Sequence, residues 1–214
     1  MAVSSRLTMP VMADSSHVYN HKVVVFPAGD YWTFGLLASS FHWWWARART
    51  GTLSTGSVPN YSPTDVFETF AQPLESRDNL NSVVEAARAL ESGRANLLVK
   101  REMGIAGLYR QYHDEGEQGA DIDAVRALHV ALDTKVRDAY GWSGLELDHH
   151  HWETPQGVRF TVGPAAKDEL LDRLLELNHQ RYAEEVAAGL HDKKSKKAPA
   201  KRAKAVDENQ ESML

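Results

Sequence analysis

The chain has 214 residues and no cysteine, with 43% hydrophobic and 25% charged side chains and a net charge of −5. That is enough apolar matter for one sizeable core, and the missing thiols exclude a disulfide scaffold and a thiolate metal centre. The longest apolar stretch is broken by Gly35, by serines and by His42 well short of a bilayer span, and no secretory leader opens the chain; a cytoplasmic protein that makes no membrane contact is expected.

In chain order, the β-branched run from Lys22 to Phe26, ended by Pro27, Gly29 and Asp30, predicts a strand and a turn. Asp30 is placed to cap the helix that follows. That helix, Tyr31 to Arg49, holds three of the six tryptophans in succession. Phe34, Leu37, Ala38, Phe41 and Trp45 recur at spacings of three and four and share one face, while Trp43 and Trp44 point to the sides. So much indole supports two readings. One is core packing in a small α+β unit; the other is that some rings meet another domain or a nucleic acid, with Arg47 and Arg49 beside them for phosphate.

Gly51 to Pro63 is rich in Gly, Ser, Thr and Pro, a loop long enough for a functional segment as well as for an ordinary surface connection. Val66 to Phe70 reads as a short apolar strand ahead of Pro73. Beyond Pro73 the pattern turns helical. Leu80, Val83, Val84, Ala87, Leu90, Leu97 and Leu98 make one amphipathic face, weakened at Gly93 and ended near Gly104. A second helix, capped by Asp121, sets Ile122, Val125, Leu128, Leu132, Val136 and Ala139 on one side and stops at Gly141. Pro155-Gln156-Gly157 followed by the alternating Val158 to Val162 predicts a β-hairpin. A last helix begins at Pro164, carries the seam Leu170, Leu171, Leu174, Leu175, Tyr182 and Val186, and ends at Gly189. From residue 191 the chain is Lys/Ala-rich and poor in apolar residues, so disorder is expected, with unspecific contact to DNA phosphates as the sharper reading.

Few residues point to catalysis. There is no Gly-x-Ser-x-Gly and no cysteine nucleophile. Asp148 with His149, His150 and His151 has metal-ligand residue types, but no second cluster completes a site. These histidines are read as turn and hairpin residues, and no metal is assigned. Charge is uneven: residues 1–73 are balanced, residues 74–190 are acidic by eight, and residues 191–214 are basic by three. A free-standing DNA binder normally shows one clear basic face, so this distribution suits a part whose partner domain supplies much of the phosphate contact.

The run from Phe34 to Arg47, then Asn60-Tyr61-Ser62 and Val66 to Phe70, resembles the C-terminal target-recognition region of large adenine-specific DNA methyltransferases. These are the MmeI-like fused restriction-modification enzymes and their relatives in the BREX and DISARM phage-defence systems. His42, Trp45, Arg47, Tyr61, Ser62, Val66 and Phe70 match the pattern, while Ala71 stands where that family usually has Pro. The likeness continues through Tyr112-His113-Asp114, Ala139 to Trp142 and Gln156 to Thr161 to Leu174 to Asn178, with Trp152 in place of a usual His. Such enzymes carry a glycine-rich turn for S-adenosylmethionine and an Asn-Pro-Pro-Tyr-type tetrapeptide that grips the flipped adenine. Neither motif occurs in this sequence.

The resemblance therefore implies the DNA target-recognition part of an adenine-N6 methyltransferase that lacks the catalytic domain and is silent alone. It would bind no cofactor itself, S-adenosylmethionine belonging to the complete enzyme. Its partners would be double-stranded DNA and a catalytic domain or subunit, and its DNA-contacting residues Lys22, Arg47, Arg49, Thr52, Ser54, Thr55 and Asn60. A helical protein-interaction module without a DNA role is the alternative. The expected fold is α+β and predominantly α-helical. It would comprise a small mixed recognition portion over residues 1–73 with the Trp-rich helix, a helical portion over 74–190 with a β-hairpin, and a disordered basic tail over 191–214.

Overall fold

The computed structural model describes residues 1–3, 8–14, 16–50 and 60–190. Among the described residues helices dominate and the regular strands form a single hairpin, so the α+β, mainly helical expectation holds. Chain order is α1 (Tyr31–Ala38), α2 (Ser40–Arg49), a π-helical turn (Pro63–Phe67), α3 (Arg77–Lys100), α4 (Ile105–Tyr112), α5 (Ala120–Ala139), β1 (His150–Thr154), β2 (Gly157–Thr161) and α6 (Pro164–Ala187).

The β-branched run ahead of α1 does not form a regular strand. It lies extended beside the first residues of the chain: Val24 N–H donates to Met1 O over 2.8 Å, and Val3 N–H to Lys22 O over 2.9 Å, around a single antiparallel bridge between Ala2 and Val23. On its other side, Val3 O accepts from Tyr61 N–H over 2.7 Å. Three extended pieces therefore lie side by side, but none is long enough to make a sheet.

Asp30 caps α1 as expected, accepting from Thr33 N–H over 2.7 Å. The aromatic helix then breaks. Ser39 adopts an extended backbone and becomes the N-cap of α2, its side chain accepting from His42 N–H, so Tyr31 to Arg49 is two helices with a bend between them. The expected strand at Val66–Phe70 is instead a turn of π-helix. Ser62 caps it, Pro63 fits its first position, and Thr69 Oγ1 donates to Asp65 O over 2.6 Å, so local polar groups satisfy the backbone without a neighbouring strand.

α3 and α5 are the long antiparallel-type scaffold against which α1 packs. α3 runs unbroken through Gly93, because that residue faces Leu128 of α5: a Cβ there would lie 2.4 Å from Leu128 Cδ1. Asp121 does not cap α5. Gly119 is the N-cap, and Asp121 turns back to pair with Lys100 over 2.8 Å and with Arg101, closing the α3–α4 corner. α4, which the sequence pattern did not separate, fills that corner with buried Leu108, Tyr109 and Tyr112. The hairpin falls where expected, with Gly157 at φ +92° in its turn.

One continuous core unites residues on both sides of Pro73, including Phe41, Trp45 and Val66 with Val83, Leu132 and Leu170. α6 joins it with Leu170 and Leu174, and Asn178 Nδ2 donates to Thr69 O over 2.8 Å. Past that bond the expected seam is largely exposed: Tyr182 is 57% and Val186 50% exposed.

At Gly35, α1 approaches α3 so closely that a Cβ would sit 3.0 Å from Val83 Cγ1 and 3.1 Å from Ala87 Cβ. Val83 is stiff at χ1 and the alanine methyl cannot turn away. Gly35→Ala is therefore expected to lower stability by about 1–3 kcal/mol in urea unfolding through overpacking. A gain approaching the ~1 kcal/mol that alanine contributes inside a helix would show that the interface gives way.

Candidate nucleic-acid interface

α2 is the centre of the site, and buried polar groups fix it at both ends. At its start, Asp133 of α5, 1% exposed, accepts from Ser40 N–H over 2.8 Å and from Ser40 Oγ–H over 2.6 Å. The same carboxylate accepts from His149 Nε2–H over 2.8 Å, so α2, α5 and the approach to the hairpin meet on one residue. His149 thus turns inward, and His151 packs against Phe160 with ring centroids 5.3 Å apart. Among the described residues, no group of three or more His, Cys, Asp or Glu is gathered that could hold a metal ion.

In the middle of α2, His42 is fully buried. Its Nδ1 lies 3.2 Å from Leu37 O, and a carbonyl only accepts, so Nδ1 carries the proton. Nε2 is then the acceptor for the Tyr61 hydroxyl, 2.9 Å away. Burial lowers His42 from 6.5 to about 4 and pushes the Tyr61 hydroxyl up, so both stay neutral and the bond keeps its direction. Trp45 adds a third tie, its indole N–H donating to Val66 O over 3.1 Å. His42, Tyr61 and Trp45 were read from sequence only as matching residues; their part is to hold Tyr61 and Val66 against α2.

The aromatic run is mostly core. Trp32, Trp44 and Trp45 are buried, and Trp43 is half-buried against the core surface. Arg47 lies over Trp43, its Cζ 5.7 Å from the ring centroid, and Arg49 over Trp45 at 4.8 Å. The two guanidinium groups are therefore held by indole faces at the end of α2. Burial lowers Arg47 from its ordinary value, and its Nη1 is shielded from solvent and has no hydrogen-bond partner among the described residues.

Thr52, Ser54 and Thr55 lie outside the described residues. The ends of their segment are described: Thr50 closes α2, its N–H and hydroxyl both donating to Ala46 O, and Asn60 is exposed beside Tyr61. Lys22 is exposed and flanks Val3, which bonds both to it and to Tyr61, so Lys22 and Asn60 stand about two chain spacings, or ~10 Å, apart. Arg47 and Arg49 leave α2 at the opening of the same segment, one to two turns beyond His42. Lys22 and Asn60 are thus neighbours across Val3, and Arg47 and Arg49 sit together at the end of α2.

A cleft opens on another side of Trp43. Its walls come from the N-terminal segment at Thr8 and Met9, the α1–α2 bend, α2, α4, α5 and β2, with Ser40, Trp43, His113, His129, Arg159 and Thr161 among them, and it is open to solvent. Of its members from α4, α5 and β2, Tyr112, His113 and Arg159 to Thr161 entered from sequence only as positions of the family likeness, with no role attached, because a histidine on a helix and an arginine in a short strand carry no spacing signal. Its floor is a hydrogen-bonded network. Tyr109 accepts from Arg94 Nη1 over 3.3 Å, so its own proton is directed to His129 Nε2, 2.7 Å away. Desolvation lowers His129 to about 3 against the opposing pull of Asp133.

Residues 4–74 match the family model described as the target recognition domain of MmeI. Among solved structures, the chain is similar to the Type IIL restriction-modification enzyme MmeI determined in complex with DNA. The identity is 24% and the TM-score 0.54, covering 73% of this chain and 17% of that one. That likeness is one of fold, and this chain spans about a sixth of that enzyme's length. Among curated proteins nothing matches.

His42 and His129 give the fold a pH dependence of known sign. Both are lowered on folding, so between the ordinary value of 6.5 and about 4 the unfolded chain binds protons that the folded one refuses. Stability is expected to fall as pH drops through that window, by about 1.4 kcal/mol per unit for each such histidine. Thermal unfolding at pH 7.5 and 5.5 checks it; an unchanged midpoint would mean that both rings accept protons without loss of their bonds.

Proposed function

We propose that this chain is the DNA target-recognition part of a site-specific adenine-N6 DNA methyltransferase of a restriction-modification or phage-defence system. The observation that carries the reading is the end of α2. Arg47 and Arg49 rest on Trp43 and Trp45 at the opening of the segment 51–59, within the stretch that matches a target recognition domain. The solved relative of like fold was determined with DNA bound, which favours the same partner here.

The division of labour follows from position. Guanidinium groups clamped on indoles present fixed positive charge, which suits phosphates and sets orientation. The polar positions Thr52, Ser54, Thr55 and Asn60, between Arg49 and Tyr61, would reach base edges, where hydrogen-bond patterns carry sequence. Lys22 would add a phosphate contact. Methyl transfer would fall to a catalytic domain holding S-adenosylmethionine, since the sequence has neither the glycine-rich turn nor the adenine-gripping tetrapeptide.

The C-terminal part of α6 favours a second reading. Leu175, Tyr182 and Val186 of α6, with Leu190 just beyond its end, are each 40% exposed or more, as the apolar face of a protein-docking arm would be. The two readings are compatible where that arm meets the catalytic domain; alone, the second assigns no role to the arginines.

Fluorescence anisotropy with duplex oligonucleotides over a range of salt separates them. Arg47→Ala and Arg49→Ala are each expected to weaken binding about equally across sequences and to reduce the salt slope by about one. Changes at Thr52, Ser54, Thr55 and Asn60 are expected to alter preference between sequences by about 1–3 kcal/mol per lost base contact, at constant slope. Loss of preference on Arg47→Ala with an unchanged slope would exchange the assigned roles. No duplex binding, with or without a catalytic partner chain, would favour the docking reading.

A further inference from the structure

Ahead of α1 the chain makes a turn that contributes nothing to the core. The described residues from Ala13 to Lys22 are all exposed, and Val18 is fully so. One exposed valine by itself needs no explanation. Here, however, the chain around it is held in one shape although none of it is buried. Ser16 N–H donates to Asp14 Oδ1 over 2.7 Å, and the Tyr19 hydroxyl donates to Asp14 O over 2.8 Å. The His17 and Tyr19 rings lie with centroids 6.4 Å apart. On the returning side, Asn20 Oδ1 accepts from Lys22 N–H over 2.9 Å, and Asn20 O from Val23 N–H over 3.1 Å.

Both ends of this turn are anchored. Before it, Pro10 O accepts from Nη1 and Nη2 of the buried Arg94 over 3.2 and 3.3 Å. After it, Lys22 O accepts from Val3 N–H over 2.9 Å, and Val3 O in turn accepts from Tyr61 N–H. The foot of the turn therefore stands beside Asn60, the residue that follows segment 51–59. Ordering an exposed loop costs conformational entropy that no burial returns, so the needs of the fold do not account for the shape. A rigid mount under a solvated tip is how loops carry binding groups.

The chemistry of the tip narrows the partner. From Val11 to Phe26 the sequence has one carboxylate, Asp14, against Lys22 and two histidines, in a chain whose net charge is −5. A protein-docking face would present a contiguous apolar patch, whereas Val18 is a single apolar point among imidazoles, an amide and an ammonium. A narrow tip of that composition suits a nucleic-acid groove, where methyl groups meet base edges and a cation at the rim meets phosphate. We propose that residues 16–22 enter a groove of duplex DNA, with Val18 in apolar contact with base edges and Lys22 at the foot against the backbone. The proposal rests on the DNA-recognition reading and deepens it. It adds a base-reading element ahead of α2, in a stretch from which the sequence had singled out Lys22 alone.

The test uses the full chain, first to select duplexes from a randomised pool, and then in anisotropy titrations of a selected and an unrelated duplex over a range of salt. Val18→Ser is expected to reduce the discrimination between the two by roughly 5- to 100-fold at an unchanged salt slope. Lys22→Ala is expected to weaken both about equally and to lower the slope by about one. Because Val18 is fully exposed, the urea midpoint of Val18→Ser is expected to match that of the parent. Discrimination unchanged by Val18→Ser, while Arg47→Ala still weakens binding, would overturn the groove contact and leave DNA recognition standing. Equal loss on both duplexes at constant slope would make Val18 a wedge that reads no sequence, and would overturn the base contact. Failure to select any duplex, with or without a catalytic partner chain, would defeat the DNA-recognition reading and this contact with it.

Discussion

Asp133 is the residue on which the arrangement turns. A buried carboxylate is costly unless donors surround it, and here three converge from two parts of the chain: the backbone and hydroxyl of Ser40 at the start of α2, and the imidazole of His149 ahead of the hairpin. Because Ser40 follows the bend at Ser39, this one side chain sets the direction in which α2 leaves α1. That direction decides where the three successive indoles point, which of them are buried, and where Arg47 and Arg49 emerge.

The rest of the interior follows the same logic of polar groups matched in pairs. His42 with Tyr61 and His129 with Tyr109 are neutral pairs in which the hydroxyl donates and the imidazole accepts, and burial keeps them so. Arg94 is the exception that carries charge into the core. It is held by Glu91 and by the carbonyl of Pro10, and it lies over the Phe34 ring, so it ties the N-terminal segment onto α3. These pairs make the recognition end rigid, and a rigid mount reduces the entropy lost when a surface arginine must meet a fixed phosphate. The negative net charge of the chain does not oppose that role. In the proposed role, what would matter to an approaching duplex is the local field at the end of α2, not the sum over distant helices.

Much of the fold was legible because periodicity reports burial. The faces of α3 and α5, the Gly157 turn of the hairpin, the Pro164 start of α6 and the Asp30 cap all follow from spacing and residue type. The failures have particular causes. Ser39 looked like an interior helix residue because only the backbone angle of that serine turns it into a cap. Val66–Phe70 looked like a strand because its apolar residues cluster, yet Ser62 and Thr69 satisfy its backbone locally. α4 was missed since its eight residues carry too short a pattern, and Asp121 was taken for a cap when Arg101 offered it a stronger partner. In the site, Arg47 and Arg49 stood out through their neighbours in sequence. Arg159 and His113 entered only as positions of the family likeness, with no role attached, since only the packing of β2 and α4 beside α2 brings them near Trp43.

The central claim is that the chain meets duplex DNA at the end of α2. Mapping amide and side-chain NMR shifts of the intact chain on adding a duplex that contains its target tests this most directly. Perturbations are predicted to concentrate at Trp43 to Asn60, with Lys22, and to leave α6 beyond Asn178 untouched. Shifts confined to α6 beyond Asn178, or spread evenly over the acidic helices, would contradict it.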